Sequence, residues 1–208
     1  MNIYLLRHGE TDWNKEGRIQ GHTDIPLNEN GRMQITRTTA GLSGACPDMD
    51  VILCSPLSRA KESARIAAEQ LNYPREKIIV EPMLIERGFG EAEGLTAAER
   101  EEKYPNYHYS DIGYFFPGME PFEQLLGRAG DVFQKIADTY KDKENILAVS
   151  HGALLAAVIT AVTDRRIAYF SDVISLDSSS LFRVCRTGGT VELAKYNVEK
   201  AAFINIIF

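Results

Sequence analysis

The chain has 208 residues, 44% apolar and 25% charged, with no low-complexity tract, the composition of an ordinary soluble globular protein with room for one sizeable core. Its net charge of −6 and lack of any basic block exclude a typical nucleic-acid partner. An anionic substrate would need a local basic pocket inside an acidic protein.

In chain order, Asn2-Ile3-Tyr4-Leu5-Leu6 reads as a short, fully buried strand that stops at a charged, Gly-containing turn. A polar loop with Gly17, Gly21 and Pro26 follows, and Asn28 then caps a helix that runs toward Gly44. Val51 to Cys54 is a second buried strand. Ser55-Pro56 predicts an N-cap and a first-turn proline for a helix with Leu57, Ala60, Ala64, Ala67 and Leu71 on one face. Ile78 to Val80 is a short strand, and 86–94 is a Gly-rich loop. The apolar stripe Met119, Phe122, Leu125, Leu126, Ala129, Phe133, Ile136 and Tyr140 gives the clearest helix. Ile146 to Val149 is a third buried strand that leads into a helix from Ala153. Ser180 to Val184 and Val191 to Tyr196 are strands with no helix between them. The apolar run 203–208 suits a docked tail or a contact in a homodimer.

Alternating strands and helices predict one α/β domain over 1–208, a mostly parallel sheet covered on both faces. Cys46, Cys54 and Cys185 form no metal-like or paired spacing, and their odd number suits a reducing cytosol. The first apolar run ends at Arg7 without a signal-peptide layout. The apolar stretch 146–162 is short for a span and is broken by Ser150-His151-Gly152, so no membrane is expected and the location is read as cytoplasmic.

Two buried strands end alike, in Leu5-Leu6-Arg7-His8-Gly9 and in Ala148-Val149-Ser150-His151-Gly152. Ligands of open α/β sheets bind outside the carboxyl ends of the strands. If the two strands are parallel neighbours, His8 and His151 meet there, and Arg59 emerges at the same edge from the helix after Cys54. A charged residue straight after a buried apolar run must pair or face an anion, because desolvating it alone is costly. A single strand-end histidine would ordinarily be a satisfied core residue; two of them with Arg7 and Arg59 are hard to assign to packing. A metal site from His8, His22 and His151 lacks carboxylate or cysteine partners, and the arginines would repel the cation. No metal or cofactor is expected.

Arg7-His8-Gly9-Glu10-Thr11 with Asn14, then Gln20-Gly21 and Asp24-Ile25-Pro26-Leu27, resembles the signature of the histidine phosphatase superfamily, which holds cofactor-dependent phosphoglycerate mutase and many small-molecule phosphatases. Ser55-Pro56-Leu57-Ser58-Arg59-Ala60, Glu86 with Phe89-Gly90 and Glu93-Gly94, and Ser150-His151-Gly152 are similar to its later motifs, in the same order. The resemblance implies a three-layer α/β/α, doubly wound, phosphoglycerate mutase-like fold with a lid at about 88–122. It implies His8 as a nucleophile attacking phosphorus through a neutral ring nitrogen. Arg7, Arg59 and His151 would clamp phosphoryl oxygens, with Asn14, Gln20, Gly21 and Gly152 completing the substrate pocket. Glu86 would protonate the leaving alkoxide and later activate water, which calls for a raised pKa.

Mutases of this family carry extra basic residues in the lid. Here no Lys or Arg occurs between Lys103 and Arg128, while Tyr104, Tyr107, His108, Tyr109, Tyr114, Phe115 and Phe116 cluster there. These aromatics fit either the lid's own packing or an apolar leaving group. With Pro117-Gly118-Met119-Glu120, they resemble the phosphatase branch. The expected activity is hydrolysis of a small phosphate monoester through phospho-His8. The alternatives are mutase-type transfer, which Arg87 could serve, and a non-catalytic phosphate-binding module, against which the intact set of His8, Arg7, Arg59, Glu86 and His151 speaks.

Overall fold

A computed structural model describes residues 1–45, 48–105, 113, 115, 117–169, 177–187 and 190–207. Its elements are β1 (Asn2–Arg7), α1 (Asp12–Lys15), α2 (Glu29–Ala45), β2 (Val51–Cys54), α3 (Ser58–Gln70), β3 (Ile79–Val80), α4 (Ala97–Lys103), α5 (Phe122–Thr139), β4 (Asn145–Ser150), α6 (Gly152–Val162), β5 (Leu181–Thr187), β6 (Thr190–Asn197) and β7 (Ala202–Ile206). The strands form one seven-stranded sheet in the order β3-β2-β4-β1-β5-β6-β7. The first four run parallel, and β5, β6 and β7 add an antiparallel half.

Period-two alternation sorts the strand side chains between two layers. Ile3, Leu5, Val51, Leu53, Ile146 and Ala148 pack on one face against α5 and α6. Tyr4, Leu6, Ile52, Cys54, Leu147 and Val149 pack on the other face with Ile35 and Leu42 of α2 and the alanines of α3. The sheet is therefore covered on both sides, as the uninterrupted apolar strands require. Helix α6 is buried from Gly152 to Thr160, which explains why its sequence is apolar all round and imitates a membrane span. Among the described residues no helix is long and apolar enough to cross a membrane.

One expectation changes and a second is sharpened. The helix after Cys54 starts at Ser58 with Leu57 at its cap, two residues later than Ser55-Pro56 implied. The Ser55 hydroxyl is drawn into the site instead, and Asp24 Oδ1 accepts from both the N–H and the hydroxyl of Ser58 at 2.7 Å. The C-terminal run, read as a docked tail or a contact in a homodimer, docks within the chain as a strand: residues 202–206 are the edge strand β7, paired with β6, and Phe203 packs on Tyr4 and Tyr196. Most of the aromatic cluster, including Tyr107, His108, Tyr109, Tyr114 and Phe116, lies outside the described residues. Of the rest, Tyr104 donates to Glu91 Oε2 at 3.1 Å and Phe115 is exposed.

Candidate active site

The register of β1 and β4 pairs Leu6 with Val149 and Arg7 with Ser150, so the next residue of each strand, His8 and His151, stands at the same height. Their ring centroids are 5.1 Å apart, tilted by 60°, and both rings are buried. The His8 main chain is held on both sides, its N–H donating to Ser150 O at 2.9 Å and its carbonyl accepting from Ser179 N at 3.1 Å. A side chain anchored this way cannot drift with a loop.

Tautomers follow from what each ring faces. His8 Nδ1 lies 2.6 Å from Gly9 O, a group that can only accept, so Nδ1 carries the proton and Nε2 keeps its lone pair. Gly9 in turn has its N–H on Ser63 Oγ at 3.2 Å, and its Cα faces the backbone of Gly31 so closely that any Cβ would overlap the Gly31 carbonyl. Arg59 Nε can only donate, so His151 Nδ1, at 3.2 Å, accepts; its Nε2–H then donates to Ser55 Oγ at 2.6 Å. Both nitrogens of His151 are committed to protein partners, whereas the sequence assigned that ring to a phosphoryl oxygen.

Burial, then the charge of Arg59, then that of Arg7 push the His8 pKa well below its ordinary value, overcoming the bond to Gly9. The same burial and the same Arg59 charge depress His151. Arg59 itself is fully buried, and its pKa falls to about 10 through desolvation, opposed by Glu86 and Asp24. Among the described residues no carboxylate lies within ion-pair distance of it; peptide carbonyls of Gly21 and Thr23 accept from its Nη2 and Nη1 at 2.8 and 2.9 Å. The Arg7 guanidinium rests against the start of α6, 3.5 Å from where a Cβ on Gly152 would sit.

Glu86 reaches the same helix start. Its Oε1 accepts from Arg87 N at 2.9 Å and Leu154 N at 3.1 Å, and Oε2 from Ala153 N at 3.3 Å, so one carboxylate caps the first turn of α6. Arg128 of α5 holds the preceding loop in place, donating to Met83 O, Ile85 O and Glu86 O and to both oxygens of Glu120. Two expected pocket residues are anchored locally through their amide oxygens. Asn14 forms a capping box with Thr11 at the start of α1, and Gln20 Oε1 accepts from the Thr11 hydroxyl at 3.0 Å.

The structure thus brings together His8, His151, Arg7, Arg59, Glu86, Gly21 and Gly152. It adds Ser55, Ser63, Asp24, Glu93 and Arg128, whose supporting roles depend on contacts between segments distant in sequence. Ser55, Asp24 and Glu93 were visible only as parts of motifs. His22 turns its Nε2–H to Glu86 O at 2.8 Å. Among the described residues, no group of three or more His, Cys, Asp or Glu side chains is arranged to hold a metal ion.

Fold and site together define a class of α/β proteins that set two strand-end histidines beside buried arginines. The chain belongs to the histidine phosphatase superfamily (branch 1), whose family model matches residues 3–199. It is 38% identical over 161 residues to the "Uncharacterized phosphatase PhoE" of Bacillus subtilis, covering 77% of each chain. It is 37% identical over 166 residues to a metal-independent phosphoserine phosphatase of Arabidopsis thaliana, covering 77% of this chain and 68% of that one. Among solved structures it resembles Bacillus stearothermophilus YhfR, with a TM-score of 0.79 at 30% identity over 91% of this chain and 93% of the other. The fold is the phosphoglycerate mutase-like one.

Proposed function

We propose that this chain hydrolyses a small-molecule phosphate monoester by way of a phosphohistidine on His8. The observation that carries the reading is the state of that ring: buried, neutral, its Nδ1–H spent on Gly9 O and its Nε2 lone pair left in a pocket with two arginines. A neutral imidazole is the form that attacks phosphorus, and the cations stabilise the charge on the equatorial oxygens.

In the first step Nε2 forms a bond to phosphorus as the ester P–O bond breaks, and Glu86 gives its proton to the departing oxygen. In the second, Glu86 takes a proton from water as its oxygen attacks phosphorus, the P–N bond breaks, and inorganic phosphate leaves. Arg7 and Arg59 clamp the phosphoryl group in both steps. His151 keeps Arg59 aligned, and its Nε2–H is the donor that can pass from Ser55 to a phosphoryl oxygen. Gly21 and Gly152 leave room for close approach, and Asn14 and Gln20 brace the loop beside them.

The relatives named as phosphatases support hydrolysis over mutase-type transfer. Arg87, the arginine that the sequence left for a second anion, is buried with its Nε donating to Glu120 O at 2.9 Å and, among the described residues, no hydrogen-bond partner for its Nη2. The name of the Arabidopsis relative makes phosphoserine a first substrate to assay. The test is steady-state hydrolysis of an aryl phosphate with a 3-phosphoglycerate mutase assay beside it. Hydrolysis abolished in His8→Ala supports the proposal. Isomerisation with little hydrolysis overturns it, and tight phosphate binding without turnover means a binding module.

A further inference from the structure

The carboxylate of Glu93 lies between the two loops that frame the site. Its Oε1 accepts from the N–H groups of His22 and Phe89, both at 3.0 Å. Its Oε2 accepts from Thr23 N at 3.0 Å and from the Thr23 hydroxyl at 2.7 Å. It packs directly beneath Gly21, where φ is +53° and any Cβ would overlap Oε1. Four donors from two loops therefore converge on one side chain.

The peptide joining Gly21 to His22 is a rigid plate whose N–H and C=O point in opposite directions. Its N–H end is bonded to Glu93, and its C=O end accepts from Arg59 Nη2. The carbonyl of Thr23, whose own N–H is also held by Glu93, accepts from Arg59 Nη1. Arg59 then donates through Nε to His151. We propose that Glu93 is a positioning residue for phosphoryl transfer, setting the plane of the Arg59 guanidinium through the 21–23 peptides without touching substrate. This inference rests on the reading of Arg59 as a phosphoryl clamp. The negative charge matters as well as the shape: Glu93 is one of the groups whose field offsets the burial of Arg59, and a charged acceptor strengthens the chain of hydrogen bonds beyond it. An amide cannot replace it, because each oxygen faces two donors and a Gln NH2 would turn donor toward donor.

The test uses the full chain at a temperature where circular dichroism shows each variant folded. Glu93→Gln is expected to lose roughly tenfold to a hundredfold in kcat/KM, and to bind inorganic phosphate more weakly by a similar factor. The loss should be equal on aryl and alkyl esters, since the clamp acts on phosphorus in both. Gly21→Ala, which displaces the same carboxylate, should give the same pattern, and the double variant should be no worse than either single one. Wild-type turnover and phosphate affinity in Glu93→Gln overturn the proposal, whatever happens to the melting temperature. So does a loss confined to alkyl esters, which would mean that Glu93 acts through Glu86. If Glu93→Gln fails to fold, Thr23→Val removes one of the four donors and should weaken phosphate binding by about threefold or more; unchanged binding there is equally decisive against. Arg59→Ala separates the two levels. If it leaves phosphate affinity intact, the reading of Arg59 fails; if it abolishes affinity while Glu93→Gln does not, only the role of Glu93 fails.

Discussion

Arg59 Nε donates to His151 Nδ1 at 3.2 Å, and this contact between residues 92 positions apart dictates which nitrogen of the second histidine carries its proton. The same guanidinium spans Gly21 O and Thr23 O. Three acceptors arranged around a planar fork cannot all be served by an ammonium. Arg59→Lys is therefore expected to keep the charge and still lose on the order of a hundredfold in kcat/KM, by the cost of misplacing a catalytic group. Steady-state kinetics on an aryl phosphate checks this; near-wild-type rates would show that charge alone suffices.

The two buried histidines make the fold sensitive to acid. Both are held neutral below the pH at which free histidine protonates, His8 and His151 alike being depressed by burial and by Arg59. Below about pH 6.5 the unfolded chain binds protons that the folded chain does not. Stability is thus complete above that pH and falls as pH drops, by up to about 1.4 kcal/mol per pH unit per histidine until the folded pKa is reached. Urea midpoints measured from pH 7.5 down to 5 should decline, and His8→Asn should make the decline shallower. A flat profile would contradict the neutral assignment.

Glu86→Gln should slow alkyl phosphates about a hundredfold more than activated aryl phosphates, because only the poor leaving group needs a proton. Equal losses on the two esters would remove Glu86 from the role of acid and leave it as the cap of α6, where its oxygens accept two backbone N–H groups of the first turn.

Gly9 and Gly31 meet backbone to backbone, and neither can move without shifting the nucleophile or α2. Gly9→Ala is expected to cost about 1–3 kcal/mol of stability, the usual penalty of overpacking, and to lower kcat by turning the carbonyl that orients His8. Urea denaturation with kinetics beside it measures both. Full activity in Gly9→Ala would show that the Gly9 carbonyl does not set the tautomer.

Much of this arrangement was legible in the residues alone. The apolar runs ending in Arg7-His8 and Ser150-His151 announced parallel strands with their chemistry at one edge, and the register of β1 on β4 has that form. The stripe along α5 was equally plain, because burial on one face leaves a 3.6-residue period. Edge strand β7 escaped notice since a short apolar run reads alike as tail or strand; only pairing with β6 decides, and pairing is a tertiary fact. Ser55 was misread for a related reason. Its local context favours a helix cap, but an imidazole from β4 competes for its hydroxyl. Asp24, Ser63 and Glu93 act through partners dozens of residues away, and no spacing rule encodes such a meeting.

The central position of β1, with β4 on one side and β5 on the other, also has a kinetic meaning. Its neighbours in the sheet begin far along the sequence, at Asn145 and Leu181. Until those segments are in place, residues 2–7 are an apolar run without a sheet. Closing loops of that length is slow relative to local helix formation. Recovery of turnover on refolding should therefore lag behind recovery of helical signal, and the appearance of activity times the insertion of β1 between β4 and β5.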